Sequence, residues 1–259
     1  MNVKNVIKVF NVDKLKVEIY PDRTSMGRQA AFEVSEKLKA LLSTQPEVRM
    51  IFAAAPSQNE LLSELVSING IEWNRVTAFH MDEYIGLEEA AEQMFGNFLK
   101  ERIFGKLNFK QVNYINSKPD NLNAECKRYA DLLEEAPIDI VCLGIGENGH
   151  IAFNDPPVAD FNDPVLVKIV SLDNISRQQQ VNDGCFPSIE SVPRKALTLT
   201  VPALFSAKYM FTVVPGLTKK TAVYKTIKGE ISNDCPATIL RKHENAVLYL
   251  DSQSASKIY

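Results

Sequence analysis

Apolar positions along the chain follow two alternating patterns: short runs, and longer stretches in which apolar residues recur every three or four positions. Residues 26–42 are typical of the second pattern, because Ala30, Val34, Leu38 and Leu41 lie near helical spacing. The short runs predict strands at residues 15–20, 48–53, 76–80, 112–115, 138–143, 165–170, 196–200, 209–214 and 246–250. The periodic stretches predict helices at residues 26–42, 58–66, 95–103, 124–134 and 218–228.

Strands that alternate with helices predict an α/β fold with a mostly parallel sheet that is covered on both faces. No repeat, low-complexity segment or long linker divides the sequence, so one domain is expected over residues 1–259. Ligands in such folds bind beyond the carboxyl ends of the strands. Functional residues are therefore expected in segments 53–59, 81–87 and 144–155, each of which follows a predicted strand.

The composition excludes several functional classes. A formal net charge of -3 provides no basic surface for nucleic acid or for an anionic membrane. No run approaches the roughly 18 apolar residues of a membrane span, and residues 1–20 lack the apolar core of a secretion signal, so a cytoplasmic location is expected. The 4 cysteines form no C-x-x-C pair and are expected to be reduced thiols. The expected partner is a small molecule, and a homo-oligomer is left open.

The segment GIGENGHIAFNDPP supports two interpretations. Gly144, Gly146 and Gly149 match the dinucleotide fingerprint G-x-G-x-x-G, which requires a strand before the glycines and a helix that starts at the last one. The strand is predicted, but the prolines at 156–157 follow too soon for that helix, and the motif lies in mid-chain. The glycines are better interpreted as a tight turn that presents His150 beside backbone N–H groups.

A catalytic and a structural role are both consistent with His150. It has Glu147, Asn148 and Asp155 close in sequence, and a carboxylate within hydrogen-bond reach raises the basicity of an imidazole. The 3 histidines of the chain have no spacing typical of a zinc motif, so no metal ion is expected.

The second candidate segment, HMDEYIGL, follows the predicted strand at 76–80. Paired acids at such a position commonly cap a helix or form a turn. Alternatively, Asp82 is partly desolvated at the strand end, has a raised pKa and moves protons near neutral pH.

Two further segments, AAAPSQNE at 53–60 and PGLTKK at 215–220, each join a strand to the start of a helix. Free N–H groups and the helix dipole favour an anion at such a point. The alternatives are a plain N-cap by Ser57 or Asn59 and, for Lys219 or Lys220, an ordinary surface lysine.

Together these segments resemble the glucosamine-6-phosphate deaminase (isomerase) family, whose sibling is 6-phosphogluconolactonase. The resemblance covers most of the chain and is carried by the sequence MDEY with Gly86-Leu87, by residues 144–155, by residues 192–198 and by residues 216–219. Tyr84 and the letters HIAFND favour the deaminase branch, because the first motif of the lactonases resembles Asp-Glu-Arg. The resemblance implies the Rossmann-like α/β sandwich shared with ribose-5-phosphate isomerase and the CoA transferases.

The resemblance also implies a role for each matched residue. Asp82 would take a proton from sugar C2 and return it at C1, and His150 would open the pyranose ring. The implied catalytic residues are Asp82, Asn148, His150 and Asp155, and the implied substrate-binding residues are Ser57, Gly149, Arg177 and Lys219. The implied reaction converts glucosamine 6-phosphate and water to fructose 6-phosphate and ammonia without a cofactor.

The chain departs from the family pattern mainly at the phosphate end of the substrate. Asn182 stands where a phosphate-binding arginine is expected, and AAAPSQN replaces a loop of the Thr-Gly-Gly-Thr-Pro type. Asn148 stands where some members have an acid, and Asp155 is one methylene shorter than the family's glutamate. The exact sugar therefore stays open, and a lactonase-like hydrolase and a non-catalytic sugar-phosphate sensor are the alternative functions.

Overall fold

Parallel strands form the centre of the fold, which a computed structural model describes for residues 5–259. The strands are β1 (Lys8–Val12), β2 (Leu15–Tyr20), β3 (Val48–Phe52), β4 (Val76–His80), β5 (Asp82–Tyr84), β6 (Gln111–Asn113), β7 (Ile140–Leu143), β8 (Val167–Ser171), β9 (Lys195–Leu199), β10 (Tyr209–Val214) and β11 (Ala246–Asp251). The α-helices are α1 (Arg23–Leu42), α2 (Asn59–Ser67), α3 (Phe95–Leu99), α4 (Leu122–Glu134), α5 (Asn174–Asn182), α6 (Val201–Phe205) and α7 (Lys220–Lys228).

The main sheet has eight strands in the order β1-β2-β11-β10-β7-β3-β4-β6. All neighbouring strands run parallel except β1 and β2, which form an antiparallel pair. On one side of the centre the strands follow in the order β3, β4, β6, and on the other side in the order β7, β10, β11. The strand order therefore reverses between β3 and β7. A crevice for ligands is expected beyond their carboxyl ends.

Both faces of the main sheet are buried. Ile51 and Val141 belong to one hydrophobic cluster, and their neighbours Met50 and Ile140 belong to the other. Successive side chains of a strand point to opposite faces, so burial on both sides explains why β3 and β7 have apolar runs rather than alternating patterns. The predicted α/β fold with a mostly parallel sheet is therefore confirmed.

Two strands predicted within the alternating series, at 165–170 and 196–200, lie outside the main sheet. They correspond to β8 and β9, which join β5 in an antiparallel three-stranded sheet in the order β5-β9-β8. Only Met81 separates β4 from β5, so the chain leaves one sheet and enters the other within a single residue. An antiparallel sheet tolerates a partly solvated face, and this agrees with the intermediate burial within β8.

Other differences from the expected elements have local causes. The strand β1 and the helices α5 and α6 were not predicted, and the helix expected at 95–103 divides into α3 and a π-helical turn at Lys100–Phe104. The residues that α5 buries are polar and include Arg177 and Gln180, so the helix lacks the apolar stripe on which the prediction depends. In the described part of the chain, no helix is both long and apolar enough to cross a bilayer.

Candidate active site

A cleft opens at the carboxyl ends of the strands where the strand order reverses, and it encloses about 470 Å³ of empty space, part of it open to solvent. Four residues expected from the sequence line it: Ser57 after β3, Asp82 after β4, His150 after β7 and Lys219 after β10. The carboxyl ends of the parallel strands thus bring four segments that are distant in the sequence together. This agrees with the expectation that functional residues follow the predicted strands.

Asp82 is buried in the cleft with 7% of its surface exposed. No hydrogen bond or ion pair from another described side chain engages its carboxylate. Burial, and to a smaller extent the neighbouring Glu83, raises the pKa of Asp82 well above the ordinary value of an aspartate. A carboxylate in this environment can take up and return a proton near neutral pH.

Two buried neighbours fix the backbone around Asp82. The Nδ1 atom of His80 lies 2.9 Å from the carbonyl oxygen of Asp82, and its Nε2 accepts the N–H of Ile115 at 2.9 Å. Nδ1 therefore carries the proton and donates, and burial lowers the pKa of His80 to about 4, so the imidazole stays neutral. The Glu83 carboxylate accepts two N–H groups at the start of α3, at 3.0 and 2.8 Å. One acid of the pair thus caps a helix, whereas the other faces the cleft.

The His150 imidazole lies against Asp155. Nδ1 of His150 is 2.9 Å from Oδ1 of Asp155, although the angle falls short of an aligned hydrogen bond. Burial favours a raised pKa for Asp155, but its contacts with His150 and Asn148 outweigh burial, so the pKa of Asp155 lies below its usual value. An ionised carboxylate at Nδ1 orients the ring and leaves Nε2 as the nitrogen that can exchange protons with a ligand.

Asn148 connects this pair to the next element. Its Nδ2 donates to Asp155 at 2.9 Å and to Asp173 at 3.2 Å, and its Oδ1 accepts the N–H of His150 at 3.0 Å. The backbone N–H of Asp173, the N-cap residue of α5, donates to the other Asp155 oxygen at 3.0 Å. The amide of Asn148 therefore positions both the histidine loop and the carboxylate that orients the imidazole.

The turn around these residues is not a dinucleotide fingerprint. Gly149 adopts the left-handed backbone conformation with φ 91°, and no helix begins there, since residues 150–157 form turns and an isolated bridge. A Cβ atom on Gly149 would lie 2.6 Å from Sγ of Cys235. Gly149 therefore packs against the protein interior and does not line the cleft.

The opposite part of the cleft is polar. Ser57 Oγ accepts a hydrogen bond from Nε2 of Gln58 at 3.1 Å, and Gly144 packs against both side chains. Lys219 is 5% exposed, and no hydrogen bond or ion pair engages its ammonium group within residues 5–259. Burial lowers the pKa of Lys219, against the opposing influence of Asp183 and Glu147. An unpaired, buried ammonium group in a cleft is suited to an anionic ligand.

Arg177 and Asn182, both considered from the sequence, do not line the cleft. The Arg177 guanidinium donates to the carbonyl oxygens of Ile189 and of Val192, the latter at 3.0 Å, and so ties α5 to the segment before β9. Asn182 is exposed and lies 3.4 Å from a Glu147 oxygen. The structure thus gives Arg177 a packing role and leaves its predicted contact with substrate without support.

Three glutamines that were not singled out from the sequence also line the cleft: Gln58, Gln179 and Gln180. Gln179 accepts the N–H of Glu147 at 2.8 Å, whereas the Gln180 side chain, 7% exposed, makes no hydrogen bond with a described residue. Among the described residues, no group of three His, Cys, Asp or Glu side chains is arranged to hold a metal ion. The polar groups facing the cleft are acid–base and hydrogen-bonding groups.

A family model described as glucosamine-6-phosphate isomerases/6-phosphogluconolactonase matches residues 21–249. The chain belongs to this family. Its relatives include the glucosamine-6-phosphate deaminase of Bacillus cereus (strain G9842), 35% identical over 225 residues that cover 86% of this chain and 84% of the relative. The glucosamine-6-phosphate deaminase of Bacillus thuringiensis (strain Al Hakam) is 37% identical over 188 residues, which cover 73% of this chain and 70% of the relative.

Solved structures agree with the family assignment. A monomeric glucosamine-6-phosphate deaminase matches with a TM-score of 0.85 at 29% identity, over 93% of this chain and 98% of that chain. The 6-phosphogluconolactonase of Thermotoga maritima shares the fold, with a TM-score of 0.75 at 19% identity over 92% of this chain and 100% of that chain. This member of the glucosamine-6-phosphate isomerase/6-phosphogluconolactonase family is therefore an enzyme, similar to the deaminases in sequence and structure.

Proposed function

We propose that this enzyme isomerises and deaminates a hexosamine 6-phosphate. With glucosamine 6-phosphate, the reaction takes up one water molecule and gives fructose 6-phosphate and ammonia. The observation that carries the proposal is the placement of Asp82 and the His150–Asp155 pair in one buried cleft. The similarity to proteins named glucosamine-6-phosphate deaminase supports it.

His150 performs the first step, which opens the pyranose ring. Its Nε2 takes the proton of the O1 hydroxyl, the bond between C1 and O5 breaks, and the same nitrogen gives the proton to O5. The imidazole is cationic between these two transfers. Asp155, ionised and 2.9 Å from Nδ1, stabilises that cation and keeps Nε2 directed away from itself.

Asp82 performs the second step, which moves one proton between adjacent carbons. The ionised carboxylate takes the C2 proton, the bond electrons form a C1–C2 double bond, and the aldehyde oxygen gains a proton from the ammonium group of the substrate. Asp82 then returns its proton to C1 while the lone pair freed on the nitrogen forms an iminium at C2. Water adds to C2, its two protons pass to the nitrogen, and the nitrogen leaves as ammonium, which gives the ketose. Burial of Asp82 suits the transfer, because it raises the pKa of the carboxyl and so makes the carboxylate a stronger base.

The polar end of the cleft holds the phosphate ester in this proposal. Lys219 supplies the charge, and the hydroxyl and the backbone N–H of Ser57 supply hydrogen bonds. This arrangement replaces the arginine that the family pattern places at Asn182.

The test is incubation of the enzyme with a panel of hexosamine 6-phosphates, with ammonia and ketose followed in the same reaction. Equal release of both products, absent in Asp82→Asn, supports the proposal. A 6-phosphogluconolactone sample in the same panel tests the hydrolase alternative. Lactone hydrolysis without ammonia release from any hexosamine phosphate would contradict the proposed function.

A further inference from the structure

Positive charge is scarce where the ester would bind. Among the cleft-lining residues in the described part of the chain, Lys219 is the only lysine or arginine. The other ionisable groups of the lining, Asp82 and His150, belong to the proton-transfer machinery. An ester group in the cleft therefore meets one cationic side chain, whereas phosphate sites commonly use arginine forks that pair two oxygens at once.

Two carboxylates act on this single cation. Asp183 and Glu147 are close enough to Lys219 to act on its pKa. A second cation, Arg23, is also within the influence of Asp183, but it forms hydrogen bonds of 2.6 and 2.9 Å with the carboxylate of Glu60. Because Arg23 is paired with Glu60, it adds no free positive charge beside Lys219 for a dianion.

The remaining ligand-binding groups are neutral. Gln180 is buried and its amide has no partner among the described residues, and it lines the cleft. Gln58 is fully buried, and its Oε1 atom has no hydrogen-bond partner. Ser57 Oγ already accepts from Gln58, so its hydroxyl hydrogen is free to donate. These groups include both donors and an unpaired acceptor, and the acceptor requires a ligand that carries a hydrogen.

From this arrangement we infer that the cleft binds the singly protonated, monoanionic form of the phosphate ester in preference to the dianion. The inference rests on the proposed function, since it places the ester of a hexosamine 6-phosphate against Lys219 and the glutamines. The hydroxyl of a monoanionic phosphate donates to the free oxygen of Gln58, and its single charge pairs with Lys219. A dianion lacks that hydrogen and brings a second negative charge close to Asp183 and Glu147.

The experiment compares two ligands whose charges respond differently to pH. The second pKa of a phosphate monoester is about 6, whereas a sulfate ester stays singly charged. Binding of glucosamine 6-phosphate and of glucosamine 6-sulfate to Asp82→Asn is measured by calorimetry at pH values from 5.5 to 7.5. This variant is used because it does not consume the phosphate ester, and a change in the charge of the protein affects both ligands.

The expected result is a ratio of dissociation constants, phosphate over sulfate, that rises by roughly tenfold per pH unit above the phosphate pKa of about 6. A ratio that is constant or falls with pH would overturn the inference while leaving the proposed function intact. If neither ester binds more tightly than glucosamine itself, both the inference and the proposed phosphate site are wrong.

A matched pair of variants tests whether scarce positive charge causes the preference for the monoanion. Asn182 lies 3.4 Å from Glu147, so Asn182→Arg adds a cation beside one of the competing carboxylates, and Asn182→Gln adds none. We expect Asn182→Arg to tighten binding of the dianion, so that the ratio of dissociation constants, phosphate over sulfate, depends less on pH. Asn182→Gln should keep the pH dependence of the unsubstituted site. An unchanged slope in Asn182→Arg would show that scarce positive charge is not the reason, and would overturn the inference.

Discussion

Gly146 lies so close to the His150 ring that a side chain at position 146 would occupy the space of the imidazole. A Cβ atom there would be 2.1 Å from Cε1 and 2.2 Å from Nε2 of His150. We therefore expect Gly146→Ala to displace the ring and to lower kcat by about 10²–10⁴, the contribution of a positioned acid–base group. His150→Ala should have an effect of similar size. The measurement is steady-state kinetics at matched thermal stability.

The control for this prediction is Gly144→Ala, which changes the same turn at a different contact. Its Cβ would lie 3.0 Å from Nε2 of Gln58 and 3.3 Å from Oγ of Ser57, so it affects the polar end of the cleft and not the imidazole. We expect a higher KM with a much smaller change in kcat. If Gly146→Ala retains the kcat of the unmodified enzyme, the ring does not need the position in which the structure shows it.

Asp82→Asn should abolish exchange of the C2 proton of the substrate with solvent deuterium while retaining substrate affinity. An amide keeps the shape of the carboxyl group, but it cannot accept the proton. Proton NMR of the substrate in deuterated buffer measures the exchange, and calorimetry measures the affinity. Exchange at the rate of the unmodified enzyme would mean that another residue is the base.

Lys219→Met should weaken binding of a 6-phosphate sugar roughly ten- to a hundredfold, because a charged hydrogen bond contributes about 1.5–3 kcal/mol. Methionine retains the apolar part of the buried side chain, so packing changes little. The unphosphorylated parent sugar serves as the reference ligand and should bind both proteins alike. A phosphate preference that survives Lys219→Met would remove this lysine from the ester site.

His80 should make the protein less stable as the pH falls. Its pKa is lowered from 6.5 to about 4 in the folded state, so the unfolded chain binds the proton first and the free energy of unfolding decreases from about pH 6.5 down to about pH 4. The full effect is about 3 kcal/mol, since each pKa unit corresponds to about 1.4 kcal/mol. Urea unfolding between pH 4 and 8 should therefore show that His80→Gln gains stability relative to the unmodified enzyme as the pH falls through this interval.

Glu83 provides the opposite comparison in the same experiment. Its pKa is raised by burial from 4.5 to about 7, so the folded state holds the proton longer and stability decreases as the pH rises through that interval. Glu83→Gln removes this decrease but leaves the acid side governed by His80. Identical pH profiles of the two variants would show that neither buried group controls stability as described.

The sequence predicted the central strands accurately, and the reason is physical. The bounds of β2, β4 and β10 agree with the expected ranges. The strand β10 is a nearly continuous apolar run, as burial on both faces of a parallel sheet requires, whereas β2 alternates apolar and charged residues. Asp82 could be found because it follows β4 after one residue, and His150 because it lies in the glycine turn after β7.

The residues that the sequence did not reveal belong to polar environments. The helix α5 buries amide and guanidinium groups, which have no periodic apolar signal, so neither the helix nor Gln180 could be recognised. His80 gave no sign of its role, since that role depends on Ile115, which lies 35 residues further along the chain. The separation of β5, β8 and β9 into a second sheet likewise depends on pairing across long distances in the chain.

The two ends of α5 have different freedom to change in evolution. Its N-cap, Asp173, donates its backbone N–H to Asp155 and accepts from Asn148, so the start of the helix is bound to the proton-transfer machinery. Gln179 and Gln180, one to two turns further on, line the cleft and form no hydrogen bond with Asp82 or His150. Substitutions in this second half can alter which sugar is accepted while the reaction stays the same. Related enzymes that diverge in substrate are thus expected to differ in the last turn of this helix and to share its first residue.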